Sequence, residues 1–349
     1  MPLKTYGAME SDMTDTRSVL LTGGAGYVGS HTCVELLQAG WQVTILDNFS
    51  NARRDVIERI GQAAGTNPPA LVEGDVRDRE LLARVFAETP FHAVMHFAAL
   101  KSVANSVADP LGYWDVNVGG TLRLLEALTA AGCNRFVFSS SATVYAPSDE
   151  PFDESSPLGP VNPYGDTKVA SERLISSVAA TRPGFAASLL RYFNPAGAHP
   201  SALLGEEPAD PPDNLLPYIA QVAAGKREKL GVFGDDYATA DGTGERDYVH
   251  VCDIARGHLL ALEALDRDGV GHVLNLGTGR GSSVLQLRDA YARAAGRDVP
   301  YEILPRRAGD VARILCKADK AAEFMGFETQ FGIDDICRSS WAWTCRKGG

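Results

Sequence analysis

Tyr164 and Lys168 are the pair whose types and spacing carry chemistry, in the run Tyr-Gly-Asp-Thr-Lys directly after Pro163. Proline favours the first turn of a helix, where its missing N–H would have had no partner. On such a helix residues i and i+4 share a face, so the phenol and the ammonium are predicted to be neighbours. A free phenol, with a pKa of about 10, is a poor base near neutrality. A lysine cation or another positive charge beside it favours phenolate, and the pair then suits proton removal from an alcohol. Ser141, the last of three consecutive serines, is the candidate to share or relay that proton. Ser139 and Ser140 read as ordinary polar residues at a strand end. A tyrosine and lysine on a solvated helix would match the same short pattern, so the weight rests on where the helix sits.

A second constellation is Thr22-Gly23-Gly24-Ala25-Gly26-Tyr27-Val28-Gly29, between a predicted strand and a predicted helix. Gly24, Gly26 and Gly29 satisfy G-x-G-x-x-G; Gly23, Gly26 and Gly29 satisfy the wider G-x-x-G-x-x-G. Glycine permits the sharp turn, and the absence of Cβ lets a pyrophosphate approach the helix N-terminus. Asp47 ends the next strand 21 residues after Gly26. A carboxylate there can accept hydrogen bonds from an adenosine ribose and repel a 2′-phosphate, which favours NAD. Arg53 and Arg54 nearby leave NADP open.

Both constellations need a framework. Short apolar runs at 18–22, 41–47, 70–73, 92–96, 135–139 and 186–191 alternate with helical patterns, among them 26–38, 79–87, 111–131 and 164–181. This predicts a Rossmann-type α/β fold, a doubly wound parallel sheet with helices on both faces. Its carboxyl edge is where ligands of such sheets bind. The NAD-binding domain is expected over 18–193. A smaller, more irregular α/β domain is expected over 194–349, with helices near 214–224, 284–295 and 332–343 and a return to the first sheet near 245–265 left open. Residues 1–17 read as a disordered tail, without the apolar stretch of a signal peptide.

The chain has 349 residues, 45% of them apolar, and a net charge of −11. That charge argues against nucleic acid and anionic membranes as partners, and no apolar run is long enough to span a bilayer. Six scattered cysteines without C-x-x-C suggest buried thiols in the reducing cytoplasm rather than a disulfide frame. Seven histidines without H-x-x-x-H spacing give no metal site. His96, closing a predicted strand, reads as a hydrogen-bonded structural residue.

Taken together these residues resemble the extended short-chain dehydrogenase/reductase family, and within it the UDP-glucose 4-epimerases. The resemblance spans about residues 18–347. It includes Leu46-Asp-Asn-Phe-Ser50, His96-Phe-Ala-Ala-Leu-Lys101, Asn117-Val-Gly-Gly-Thr121, Leu190-Arg-Tyr-Phe-Asn194 and Asp241-Gly-Thr-Gly-Glu-Arg-Asp-Tyr-Val-His250. It implies interconversion of UDP-galactose and UDP-glucose through a 4-keto sugar, with tightly held NAD. It places the cofactor on Tyr27, Val28, Asp47, Asn48, Phe49, Ser50, Asn51, Ala52, Asp75, Val76, Phe97, Ala98, Ala99, Leu100, Lys101, Asn117, Ser141, Tyr164, Lys168 and Phe193. It places the nucleotide sugar on Asn194, Asn214, Leu215, Gly231, Val232, Phe233, Arg246, Arg307 and Asp310. Ile314 stands where the family tunes its acceptance of 2-acetamido sugars, which leaves epimerisation of UDP-N-acetylhexosamines open. A homodimer is implied, through helices near 111–131 and 164–181. The stripe Leu111, Val118, Leu122, Leu125 and Leu128 could face either a partner or the sheet.

Two other classes compete. A nucleotide-sugar 4,6-dehydratase needs an acid–base pair after the strand-end hydroxyl, where this chain has Ala142 and Thr143. A non-catalytic NAD(H) sensor would not need Tyr164 and Lys168, and both are present.

Overall fold

In the computed structural model, residues 17–148, 150–207, 212, 214–307 and 310–348 are described. The expected N-terminal tail, apart from Arg17, lies outside them. The chain alternates β1 (Ser18–Thr22), α1 (Tyr27–Gln38), β2 (Gln42–Asp47), α2 (Val56–Ala64), β3 (Ala70–Glu73), α3 (Arg79–Glu88) and β4 (Ala93–His96). It continues with α4 (Val103–Ala108), α5 (Pro110–Tyr113), a π-helical turn (Trp114–Gly119), α6 (Gly120–Ala130), β5 (Arg135–Ser141), α7 (Pro163–Thr181) and β6 (Ala186–Tyr192). The C-terminal part adds β7 (Asn194–Ala196), α8 (Leu215–Ala223), β8 (Leu230–Phe233), β9 (Glu245–Arg246), β10 (Tyr248–His250), α9 (Val251–Asp268) and β11 (Val273–Leu276). It closes with β12 (Ser282–Ser283), α10 (Val284–Ala295), β13 (Tyr301–Leu304), β14 (Arg313–Ile314), α11 (Asp319–Met325) and α12 (Ile333–Gly348).

Seven parallel strands form one sheet in the order β11-β6-β5-β4-β1-β2-β3. The order reverses at β1, so β1 and β4 lead away to opposite sides and leave a crevice at their carboxyl ends. Strands buried on both faces carry near-continuous apolar runs: Val19, Leu20 and Leu21 are fully buried, as are Ala93, Val94 and Met95. One face packs under α1, α2 and α9 through Val34, Leu36, Ile60 and Leu262. The other packs under α3, α6 and α7 through Leu82, Leu124, Leu128 and Ile175. A third cluster, around Ile219, Leu287, Tyr291 and Ile336, belongs to the C-terminal helices.

Two features differ from the expectation. The segment after 194 is more regular: α9 packs on α1, and β11 pairs with β6 to complete the sheet. Gly257 and the buried polar residues Asp253 and His258 interrupt the apolar stripe of α9 and hide its period. Gly257 is used because a Cβ there would lie 2.9 Å from the Leu276 side chain. Second, the helix expected over 111–131 contains the π turn, which adds a residue and rotates one half against the other. The proposed stripe therefore divides: Leu125 and Leu128 are buried against the sheet, while Leu111 is 81% exposed. Deleting the buried side chain by Leu128→Ala is expected to cost about 2–5 kcal/mol in urea unfolding; a cost below about 1 kcal/mol would contradict this placement.

Candidate active site

The carboxyl edge of the sheet borders a cavity of about 430 Å³, lined by residues from both halves of the chain. β1 delivers the chain into the glycine turn, where Gly23 is left-handed with φ +70°. A Cβ on Gly23 would lie 2.4 Å from the Ala98 backbone nitrogen, and one on Gly29 would lie 2.5 Å from the Gly23 carbonyl oxygen. The turn is thus folded tightly on itself, with Gly29 inside it rather than on the cavity wall. Gly26 caps α1 without a side-chain acceptor. Gly26, Tyr27 and Val28 line the cavity; the Gly26 N–H is taken by the Gly23 carbonyl at 3.1 Å, and the Tyr27 and Val28 amides that follow are the ones an anion at the helix N-terminus would use.

Asp47 ties this turn to the end of β2. Its carboxylate accepts the backbone N–H of Ala25 at 3.0 Å and of Phe49 at 2.8 Å. Burial raises its pKa, and these two hydrogen bonds oppose the rise. Asn48, Ser50, Asn51 and Ala52 line the cavity. Phe49, at φ +56°, turns its ring under Arg54 instead. Asn48 donates to Asp75 at 3.0 Å, and hydrogen bonds from Arg77 hold the Asp75 carboxyl at about 2. Arg54 is paired with Glu73 and Arg53 lies near Asp55 and Glu207, so both arginines already have acidic neighbours.

On the far side of β1, Ala98, Ala99, Leu100 and Lys101 line the wall next to Val76. Phe97 points away, against the His258 ring. Asn117 stays behind the wall, on the π turn. Its side chain accepts the Leu100 N–H at 2.8 Å and donates to the Leu100 carbonyl at 3.1 Å and to Thr167 at 2.9 Å. It therefore staples the wall segment to the first turns of α7. His96 is buried between Thr22 at 2.6 Å and Thr121 at 2.9 Å, a structural role.

Tyr164 and Ser141 both line the cavity, next to Tyr192, Phe193 and Asn194. Asn162 caps α7 by accepting the Gly165 N–H at 2.9 Å, and Pro163 opens the helix. Ser141 accepts from Thr143 twice, through the backbone at 3.2 Å and the hydroxyl at 3.0 Å. Its own O–H is thereby left for Tyr164. The phenol is not brought down by its lysine, as the spacing suggested. Packed protein desolvates it and raises its pKa well above the usual phenol value, with Ser141 opposing the rise. The Lys168 ammonium turns instead to the Ser139 carbonyl at 2.8 Å and lies 5.9 Å from the Tyr164 ring centre. Lys168 is buried and does not line the cavity; desolvation pushes it down to about 8, against an opposing effect of Glu172.

From the C-terminal part, Asn194, Asn214, Arg246 and Ile314 reach the cavity. Pairing of β14 with β9 sets Ile314 beside Arg246. Arg246 is ion-paired with Asp310 and donates to the Val311 carbonyl at 3.1 Å. Leu215 opens α8, and Gly231, Val232 and Phe233 lie on β8, paired with β13. Arg307 stacks on Phe233 at 3.8 Å. Leu215, Gly231, Val232, Phe233, Arg307 and Asp310 do not form the cavity wall.

A model of the NAD dependent epimerase/dehydratase family matches residues 19–277. The chain belongs to that family. It is 48% identical to UDP-glucose 4-epimerase of Yersinia pestis over 331 residues, 94% of this chain and 98% of that one. A UDP-glucose 4-epimerase from Stenotrophomonas maltophilia, solved with NAD and formylated UDP-arabinopyranose, superposes with a TM-score of 0.93 at 48% identity, covering 95% of this chain and 99% of that one. One from Bifidobacterium longum, solved with NAD+ and UDP, gives 0.90 at 46% identity with the same coverage.

Several residues of this epimerase/dehydratase site escaped sequence reasoning. Glu206, on the cavity wall, accepts from Lys101 at 2.9 Å and Asn214 at 2.7 Å, two residues with no sequence relation to it. Thr143 orients Ser141, and its place directly after the serine run could have marked it. Lys168 titrates between the folded value of about 8 and the ordinary 10.5. The folded chain then binds fewer protons across that window, so this group's contribution to stability is complete above pH 10.5 and is lost as pH falls to about 8. An NMR titration of the lysine side-chain signals, assigned through Lys168→Met, is expected to give a midpoint near 8; a midpoint near 10.5 would contradict the buried placement.

Proposed function

We propose that the protein interconverts UDP-galactose and UDP-glucose by oxidation and re-reduction at C4 of the hexose, with NAD as resident cofactor. The observation that carries this reading is the convergence of the Tyr164 phenol and the Ser141 hydroxyl on a cavity that runs from the glycine turn to Arg246. The chain's own geometry fits NAD. The turn at Gly23 and Gly29 has no room for a Cβ, the first turn of α1 offers free amides, and Asp47 stands at the end of β2. Gly26, Tyr27 and Val28 would face the pyrophosphate; Asn48 to Ala52 with Asp75 and Val76 would hold the adenosine end, and Ala98 to Lys101 with Phe193 the other. When bound, NAD supplies the acceptor and then the donor of the C4 hydride.

Tyr164 takes the proton of the C4 hydroxyl, and Ser141 donates a hydrogen bond to the same oxygen. Lys168 supplies positive charge behind the phenol and fixes its helix to β5 through the Ser139 carbonyl. The resulting 4-keto sugar turns over and is reduced on its other face, with Tyr164 returning the proton. Arg246, which lines the cavity, suits the diphosphate because a guanidinium fork pairs with phosphate oxygens. Asn194 and Asn214, also on the wall, extend the anchor for UDP and Ile314 bounds the sugar, while Leu215, Gly231 to Phe233, Arg307 and Asp310 stand outside that wall. After Ser141 the chain offers Ala142 and a threonine committed to Ser141, which does not serve the elimination step of a dehydratase.

The reading extends to a homodimer in the cytoplasm. Val107, Leu111 and Trp114 stay exposed on helical turns around α4 and α5, as does Val161 ahead of α7, and a second copy would cover them. Five buried free thiols suit a reducing compartment. Incubated with UDP-galactose and no added NAD, the purified protein is expected to form UDP-glucose. Tyr164→Phe, folded and cofactor-loaded, is expected to lose about 10²–10⁴-fold in kcat. Near-wild-type turnover by that variant would remove the proposed base.

A further inference from the structure

Behind the reacting pair lies a buried ion pair that the proton transfer described above does not use. Glu172 follows Lys168 by four residues, so Tyr164, Lys168 and Glu172 share one face of α7 on successive turns. The side chains of Glu172 and Arg191 are each only 5% exposed. Arg191 on β6 grips the carboxylate with Nε at 2.9 Å and Nη2 at 2.6 Å, and the Ser140 hydroxyl donates to the same group at 2.5 Å. The third Arg191 nitrogen, Nη1, reaches the Tyr145 hydroxyl at 3.2 Å. Apolar side chains of equal volume are often as stable in such a position, so its charge is not explained by packing.

The serine run that reads as an ordinary strand end meets α7 in register. Ser141 faces Tyr164, the Ser139 carbonyl takes the Lys168 ammonium, and the Ser140 hydroxyl binds Glu172. We propose that Glu172 is a positioning residue for the C4 reaction: clamped by Arg191 and Ser140, it keeps α7 in register on β5 and supplies the counter-charge for Lys168. The titratable and charged groups around that lysine are Tyr164 and Glu172 on its own helix, His96 on β4, and Arg191 and Tyr192 on β6. Glu172 is the one carboxylate among them. Its charge favours the ammonium form against burial, so its removal makes Lys168 lose its proton at lower pH.

Glu172→Gln keeps the volume and an acceptor for Ser140 and removes the charge. Glu172→Gln/Arg191→Met removes both charges, for the case in which the single change leaves Arg191 uncompensated and the chain does not fold. In folded Glu172→Gln the Lys168 midpoint, read by NMR, is expected to fall by about one pH unit, and in the double variant to fall by less, because the Arg191 cation is lost with the carboxylate. The alkaline limb of kcat with UDP-galactose moves with it, while KM is unchanged. Ser140→Ala leaves both charges in place and keeps the midpoint. An unmoved midpoint in either folded variant overturns the proposal, as does failure of the double variant to fold, which would make the pair purely structural. The kinetic readout rests on the epimerase reading and the titration does not. A wild-type chain inert on UDP-galactose would sink that reading and leave the titration to decide this one.

Discussion

A phenol and an ammonium stand one helical turn apart in surroundings that suit neither charge. Burial pushes the Tyr164 phenol up and the Lys168 ammonium down, and the rest of the site answers that constraint. The lysine is directed to the Ser139 carbonyl and lies 5.9 Å from the Tyr164 ring centre. Ser141 is turned to the phenol because Thr143 occupies its acceptor side. The phenol is therefore held neutral by the protein alone, and positive charge brought by a ligand is what favours its ionisation.

The same constraint explains why the framework is rigid where it is. α7 is pinned at its start by the Asn162 cap and by Asn117, which grips Thr167 on one side and the Leu100 backbone on the other. Asn117 sits on a π-helical turn, a distortion that recurs at functional sites because it re-aims side chains an α-helix would point elsewhere. The glycine turn is pinned in turn by Asp47 and by its contact with Ala98. Glycine turn, wall segment and α7 are thereby coupled through the short, buried or half-buried side chains of Asp47, Asn117 and Asn162 rather than through long flexible ones.

Much of this was legible in the sequence, for a physical reason. The glycine turn is a backbone requirement met within eight residues, and the Tyr164–Lys168 spacing is a local property of one helix. Parallel strands buried on both faces announce themselves as short apolar runs. What escaped was set by tertiary contacts. The period of α9 is masked by Asp253, Gly257 and His258, whose places are dictated by neighbours far along the chain. The π turn shifts a stripe that a 3.6-residue period draws straight through. Ser139 and Ser140 read as polar punctuation because their partners, Lys168 and Glu172, lie about thirty residues away.

The central claim is that oxidation and reduction occur at one carbon inside one cavity, with only a proton passing through Tyr164. UDP-galactose deuterated at C4, turned over in ordinary water, tests this most directly. The account requires UDP-glucose that still carries deuterium at C4. Deuterium lost to the solvent would contradict it, since the C4 hydrogen would then have left as a proton rather than shuttled as a hydride.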